Sequence, residues 1–175
     1  MNRILIAVLM LFLAGGAASA APPTAPVSRL TYLLESRCQD IAPEEGEEVG
    51  DSLLKRCAPD NLPPIWMLYL DGTRLRLGFG TAPAVSGMFD ADRDTNWPIE
   101  WRGRGAGRVF TPYAVIIRLR APGERPSRLV VFHLQANGAS CIVGDVPPSP
   151  TQNADARVLA DSDAPCEAEP DFLGD

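Results

Sequence analysis

The sequence predicts a mostly antiparallel β fold of the α+β class, with about seven short strands, one C-terminal helix and two disulfide staples. Three observations carry that expectation. Asp71-Gly72 and Asn137-Gly138 each join two apolar-rich runs, and both dipeptides favour the type I′ turns that close two-residue hairpins. Residues 113–120 alternate with the period of a strand: Tyr113, Val115, Ile117 and Leu119 on one side, Ala114, Ile116, Arg118 and Arg120 on the other. The four cysteines, Cys38, Cys57, Cys141 and Cys166, include no C-x-x-C pair, and His133 is the only histidine. They read as disulfides rather than zinc ligands.

Each element follows in chain order. Residues 1–20 have the parts of a secretory signal: Arg3 near the start, the apolar run 4–14, then small residues ending in Ala18-Ser19-Ala20. Eleven apolar residues rise only about 16 Å as a helix, roughly half a hydrocarbon core, so cleavage is expected rather than an anchor. No membrane insertion is expected after cleavage. Residues 21–28 read as a flexible leader, 29–170 as one globular domain and 171–175 as a tail. Within the domain, 29–34 reads as a strand, with helix as the alternative. Residues 44–48 read as an acidic loop, 52–57 as a second element and 59–64 as a break at prolines. Residues 65–70 and 73–79 form the first hairpin. Residues 81–96 look irregular, 99–102 strand-like, and 103–107 a glycine-rich turn. Residues 113–120, 129–135 and 140–143 make a three-stranded meander, with a turn at 122–126 between the first two. Thr151 or Asn153 caps a helix running to about Asp161, whose apolar side is Ala154, Val158 and Leu159.

A two-residue turn at Asp71-Gly72 sets Leu70 opposite Thr73 and Trp66 opposite Leu77. Trp66, Leu68, Leu70, Leu75, Leu77 and Phe79 then share the core face. The opposite face carries Ile65, Met67 and Tyr69 beside Arg74 and Arg76, a candidate contact face. A two-residue turn at Asn137-Gly138 sets Gln135 opposite Ser140. It places Cys141 on the face of Phe132 and Leu134, as a core staple under the helix. Four cysteines allow three pairings. Cys38–Cys57 and Cys141–Cys166 are expected, because each closes a local loop between neighbouring elements.

The formal net charge is −6, which argues against nucleic acid and anionic membrane as partners. The charge is uneven: the middle of the chain is rich in arginine, while residues 35–60 and the segment from Asp145 onward are acidic. The sixteen basic residues include a single lysine, Lys55, a bias that fits a GC-rich bacterial genome.

Chemistry-bearing constellations are weak. His133 and Ser140 come out as diagonal neighbours, but Asp145 falls on the other face and no Gly-x-Ser-x-Gly elbow exists. Asp90, Asp92 and Asp94 begin like a calcium loop, yet Thr95 stands where glycine is needed and Trp101 where glutamate is needed. Gly103, Gly105 and Gly107 alternate among Arg102, Arg104 and Arg108, without the helix that a phosphate cradle requires. Trp97 and Trp101 read as core packing rather than a sugar platform. No catalytic residue, metal ligand or cofactor is expected.

Glu100-Trp101-Arg102, the run 111–118, Ser140-Cys141-Ile142-Val143, the run 153–161 and Cys166 recur in this order in a group of proteins that the chain resembles. These are small exported proteins of unknown function from alphaproteobacteria. The resemblance implies a periplasmic setting, a four-cysteine plan and a final helix followed by a cysteine. It departs at Cys57-Ala58-Pro59, where the group has Cys-Pro-Gly. The functional expectation is a periplasmic or secreted, non-enzymatic protein that binds a partner protein or envelope component. The alternative is a hydrolase of an envelope substrate working through Asp90, Asp92 or Glu100.

Overall fold

The computed structural model describes residues 25–42, 52–90, 96–119 and 127–167. The signal segment 1–20, residues 21–24 of the leader, the acidic loop 44–48, Asp92, Asp94, Arg120, the turn 122–126 and the tail 171–175 lie outside them.

Among the described residues ten strands and one α-helix form in order: β1 (Val27–Leu34), β2 (Gln39–Ile41), β3 (Leu53–Cys57), β4 (Ile65–Leu70), β5 (Arg74–Phe79), β6 (Ser86–Asp90), β7 (Asn96–Arg104), β8 (Thr111–Leu119), β9 (Arg128–Leu134), β10 (Ser140–Val146) and α1 (Gln152–Ala160). They make two five-stranded antiparallel sheets, ordered β1-β7-β8-β9-β10 and β2-β3-β4-β5-β6. The strand count exceeds the expected seven because β2 and β6 carry weak signals. β2 is three residues, two of them polar. β6 lies in the stretch read as irregular, where Gly87 and a register shift against β5 break the alternation. The leader is shorter than expected: Val27 and Ser28 already pair with Gly103 and Arg102.

The two sheets pack face to face. Met67, Leu75, Leu77, Phe79 and Phe89 from one meet Ile99, Trp101, Val115, Ile117, Val130, Phe132 and Ile142 from the other. Phe79 sits at the centre, edge-on to Trp101 (centroids 5.8 Å apart) and to Phe132 (4.9 Å). A second, smaller core lies on the outer face of the first sheet, where Ala156 and Ala160 of α1 meet Ala114, Ile116, Leu129, Val131 and Val143. The sheet containing β8 and β9 is therefore apolar on both faces, as Val115-Ile116-Ile117 and Leu129-Val130-Val131-Phe132 require.

The expected helix is present, but its buried side is different. Gln152, Ala156 and Ala160 face the sheet at i, i+4 and i+8; of the expected apolar side, Leu159 packs half-buried against the same core, while Ala154 is exposed and Val158 is 72% exposed. Small side chains let the helix lie close to a sheet that already supplies the bulk. Gln152 is anchored at both ends of its amide: Nε2 donates to the Val146 carbonyl (2.8 Å) and Oε1 accepts from Arg118 (2.9 Å).

Both sides of the sandwich are tied. On one side the chain passes from β1 through a short 3-10 turn to β2, and Cys38 is bonded to Cys57 there, against the main core. On the other side the Phe79 N–H donates to Ser140 Oγ (2.9 Å) and the Ala82 N–H donates to the Gly138 carbonyl (2.9 Å). Cys141 is bonded to Cys166.

Both hairpins form, and both registers are one residue off the expected ones. At the first turn Asp71 (φ 48) and Gly72 (φ 71) adopt the left-handed conformation. Thr73 stays in the turn, because its N–H (3.4 Å) and hydroxyl (2.8 Å) both donate to the Asp71 carboxylate. The ladder therefore restarts at Arg74 opposite Leu70. At the second turn only Gly138 (φ 83) is left-handed. The Gly138 N–H donates to the Gln135 carbonyl and the Gln135 N–H donates to the Ala139 carbonyl, making a three-residue loop.

A one-residue slip exchanges the faces of a strand. Ile65 and Met67 are buried in the main core at 2% and 0% exposure, with Tyr69 packed against it. Arg74 and Arg76 stand on the opposite face, with Leu70 and Leu68. The candidate contact face Ile65, Met67, Tyr69, Arg74 and Arg76 is thus not one surface. Cys141 likewise pairs with His133, facing α1 rather than the main core, and Cys166 is exposed. The bridge that touches the main core is Cys38–Cys57.

Candidate functional site

Polar side chains converge in two places. The first is the outer face of the helix-bearing sheet. Tyr113 is the extra residue of a bulge, since Arg102 pairs with Ala114 but Gly103 with Pro112. The bulge turns Tyr113 out of the alternation expected for 113–120 and aims its hydroxyl at Asp161, just past the end of α1. That hydroxyl donates to Asp161 Oδ1 (2.6 Å). Arg102, 8% exposed, grips the same carboxylate through Nε (3.0 Å) and a second nitrogen (2.5 Å), and donates from its third to Ser28 Oγ (2.6 Å). Ser28 in turn donates to Glu100, which also takes two bonds from Arg157 of the helix (2.7 and 3.1 Å).

Beside this network lies a cleft of about 320 Å³, lined by Arg104, Tyr113, His133, Ser162 and Asp163 among others. Tyr113, Asp161, His133 and Ser162 in its wall are already engaged. Burial, and then the bond to Asp161, push the Tyr113 hydroxyl up to about 12, so it stays protonated near neutrality. Burial works against the Asp161 charge, but the bonds from Arg102 and Tyr113 outweigh it and hold the carboxyl below its ordinary value. Glu100 is held down in the same way by Arg157 and Ser28. The His133 Nε2 lies 3.2 Å from the Ala160 carbonyl, which only accepts, so that nitrogen carries the proton. Ser162 donates to the Leu159 carbonyl (2.7 Å). The arrangement seats the helix end.

The second place is the outer face of the other sheet. Its rows follow from the ladder. Gln39, Arg56, Trp66 and Gly78 align in one, Ile41, Leu54, Leu68 and Arg76 in the next, and Leu70, Arg74 and Asp90 in the third. Trp66 lies under the Arg56 guanidinium, 5.7 Å from its ring centre, and donates to the Gly80 carbonyl (3.0 Å). Residues 82–85 cross at Gly78, where a Cβ would fall 1.8 Å from the Ala84 carbonyl oxygen. Beyond that crossing no described helix or sheet covers Ile41, Leu54 and Leu68. Arg74 bonds Asp71 at the rim, and that bond with the one from Thr73 draws the exposed Asp71 carboxyl down to about 2.

The remaining sequence candidates separate. Ser140 and His133 are on opposite faces: Ser140 is buried against Phe79, and His133 faces the helix. Asp90 and Glu100 belong to different sheets, and Asp92 lies outside the described residues. Arg102 is neutralised by Asp161, and Arg104 lies over the Tyr113 ring (5.8 Å). Trp101 is in the main core, donating to Thr31 Oγ1 (2.9 Å), and Trp97 packs against that core.

The Arg102–Asp161–Tyr113 network went unread in the sequence because a bulge and a helix end create it. Among the described residues no group of histidine, cysteine and carboxylate side chains is placed to hold a metal ion, and no helix is long and apolar enough to cross a membrane. Two disulfides fit an oxidising, extracytoplasmic compartment. No protein-family model, curated protein or solved structure matches the chain.

Proposed function

We propose that the chain is an exported, non-catalytic protein that binds a partner protein or envelope component in the periplasm or beyond it. One observation carries the reading: the outer face of the smaller sheet sets an apolar row, Ile41, Leu54 and Leu68, among Arg56, Arg74 and Arg76, with no described layer over it. A mixed apolar and arginine surface on a rigid scaffold suits an acidic, partly apolar partner, since arginine and aromatic side chains anchor interfaces. The signal-like start, the two disulfides and the resemblance to small exported proteins support the compartment. On the outer face of the larger sheet, Asp161 and Glu100 are held by Arg102, Tyr113, Arg157 and Ser28, which fits a structural use of these groups.

The test is capture from a periplasmic extract by the purified disulfide-bonded protein and by a Leu54→Glu/Arg56→Glu variant. The reading expects a reproducible partner whose recovery falls at least tenfold with the variant, while the circular dichroism spectrum is unchanged. Turnover of an envelope substrate that Glu100→Gln abolishes would overturn it in favour of the hydrolase. So would equal recovery by both proteins.

A further inference from the structure

The two sheets have four edges, and three are blunted. β2 has three residues, with Asp40 bonded to Lys55 (2.8 Å). β6 is broken by a register shift against β5. β10 is bulged between Ile142 and Gly144, and the chain beyond the helix crosses it: the Glu167 N–H donates to the Ile142 carbonyl (2.8 Å) beside the Cys141–Cys166 bridge. Natural sheets shorten, bulge, charge or cover their edges in these ways because a free edge templates another strand.

β1 does none of this. It has eight residues, pairs with β7 in unbroken register from Val27 to Leu34, and contains no proline. Among the described residues nothing pairs with its other side. Its one charged side chain, Arg29, is used within its own molecule, donating to the Gly107 carbonyl (2.5 Å) and lying over the Phe110 ring (4.4 Å). Leu30 and Tyr32, each 58% exposed, stand on its outer face. The neighbouring Glu100 is held by Arg157, so no unpaired charge borders the strand there.

We propose that β1 pairs antiparallel with β1 of a second copy of this chain, about a two-fold axis at Thr31. The strand is complementary to itself, as a two-fold contact requires. Centring on Thr31 sets Leu30 against Tyr32 of the second copy and Tyr32 against its Leu30, two aromatic–aliphatic cross-strand pairs on one face. It also places the two Arg29 positions four residues apart along the seam, about 13 Å at the rise of a strand. Centring on Leu30 halves that separation and leaves Tyr32 opposite Ser28. The contact uses the edge of the larger sheet and is independent of the partner surface proposed on the smaller one.

Sedimentation of the purified disulfide-bonded protein over a dilution series tests the pairing. The expected result is a weight-average mass of twice the chain mass at high concentration, falling toward the chain mass on dilution. Leu30→Lys/Tyr32→Lys is expected to hold the protein at the chain mass throughout. Should that variant fold poorly, Leu30→Cys/Tyr32→Cys carries the test, trapping a reducible dimer where Leu53→Cys on the other sheet traps none. A wild-type protein that stays at the chain mass overturns the proposal, as does a dimer that survives the lysine pair or a trap that forms equally at Leu53. Protection of β1 that arises only when a different protein is added also counts against a second copy.

Discussion

The two outer faces of the sandwich are built from similar residues and used differently. Each carries arginines among apolar side chains. On the larger sheet a helix lies over them, and Arg102 and Arg157 are answered by Asp161 and Glu100. On the smaller sheet Arg56 lies over a tryptophan, Arg74 bonds Asp71 of its own turn and reaches the Met88 sulfur (3.7 Å), and no described helix lies above Leu54 and Leu68. What separates structure from surface is thus not composition but whether a carboxylate and a covering layer arrive together. Substitutions on the first face should cost stability, and on the second, binding.

The largest effect should come from the bridge that ties the start of β2 to the end of β3 against the main core. Cys38→Ser/Cys57→Ser is expected to lose about 3–4 kcal/mol in denaturant unfolding, from the opened loop plus a hydroxyl at buried position 57. Asp161→Ala should lose about 3 kcal/mol, because it strands the buried Arg102 guanidinium and the Tyr113 hydroxyl. Ala160→Leu, which forces bulk between helix and sheet, should cost about 2 kcal/mol, with Val158→Ala nearly neutral as a control. On the other face, Arg56→Ala should cost no more than about 1 kcal/mol, the scale of one cation–π contact. A loss there as large as that at Asp161 would erase the contrast between the faces.

Acid sharpens the same contrast. Asp161 and Glu100 have pKa values in the folded protein below the ordinary 3.8 and 4.5. A depressed carboxyl contributes stability that is present above its unfolded value and lost as pH falls through its folded one. The melting temperature should therefore drop as pH passes below about 4, and Asp161→Asn should flatten that drop. An unchanged pH profile in that variant would remove Asp161 from the account.

Much of the fold was legible in the sequence, because apolar runs beside the two turn dipeptides mark β4, β5, β9 and β10, alternation marks β8, and Gln152–Ala160 lies within the expected helix. The faces were less so. The Asp71 carboxylate traps Thr73 in its turn, and Ala136 joins the loop at Gly138, so each ladder slips by one residue. Arg74 and Arg76 were read as outward-facing, but the slip replaced Ile65, Met67 and Tyr69 with Leu68 and Leu70 as their neighbours. The helix is legible from its length and from Leu159, which packs half-buried, yet its fully buried side is alanine and glutamine, which a search for large apolar residues passes over. The Tyr113 bulge depends on how Gly103 pairs across the sheet, which no local signal reveals.

The central claim is that the outer face of the smaller sheet, over which no described helix or sheet lies, meets a partner while the helix-covered face does not. Photo-cross-linking in intact cells reads this directly, with a photoreactive residue at Leu68 and, for comparison, at Val158 on the exposed side of the helix. The account predicts a discrete adduct heavier than the chain from position 68 and none from position 158. An adduct from position 158 with none from position 68 would contradict it.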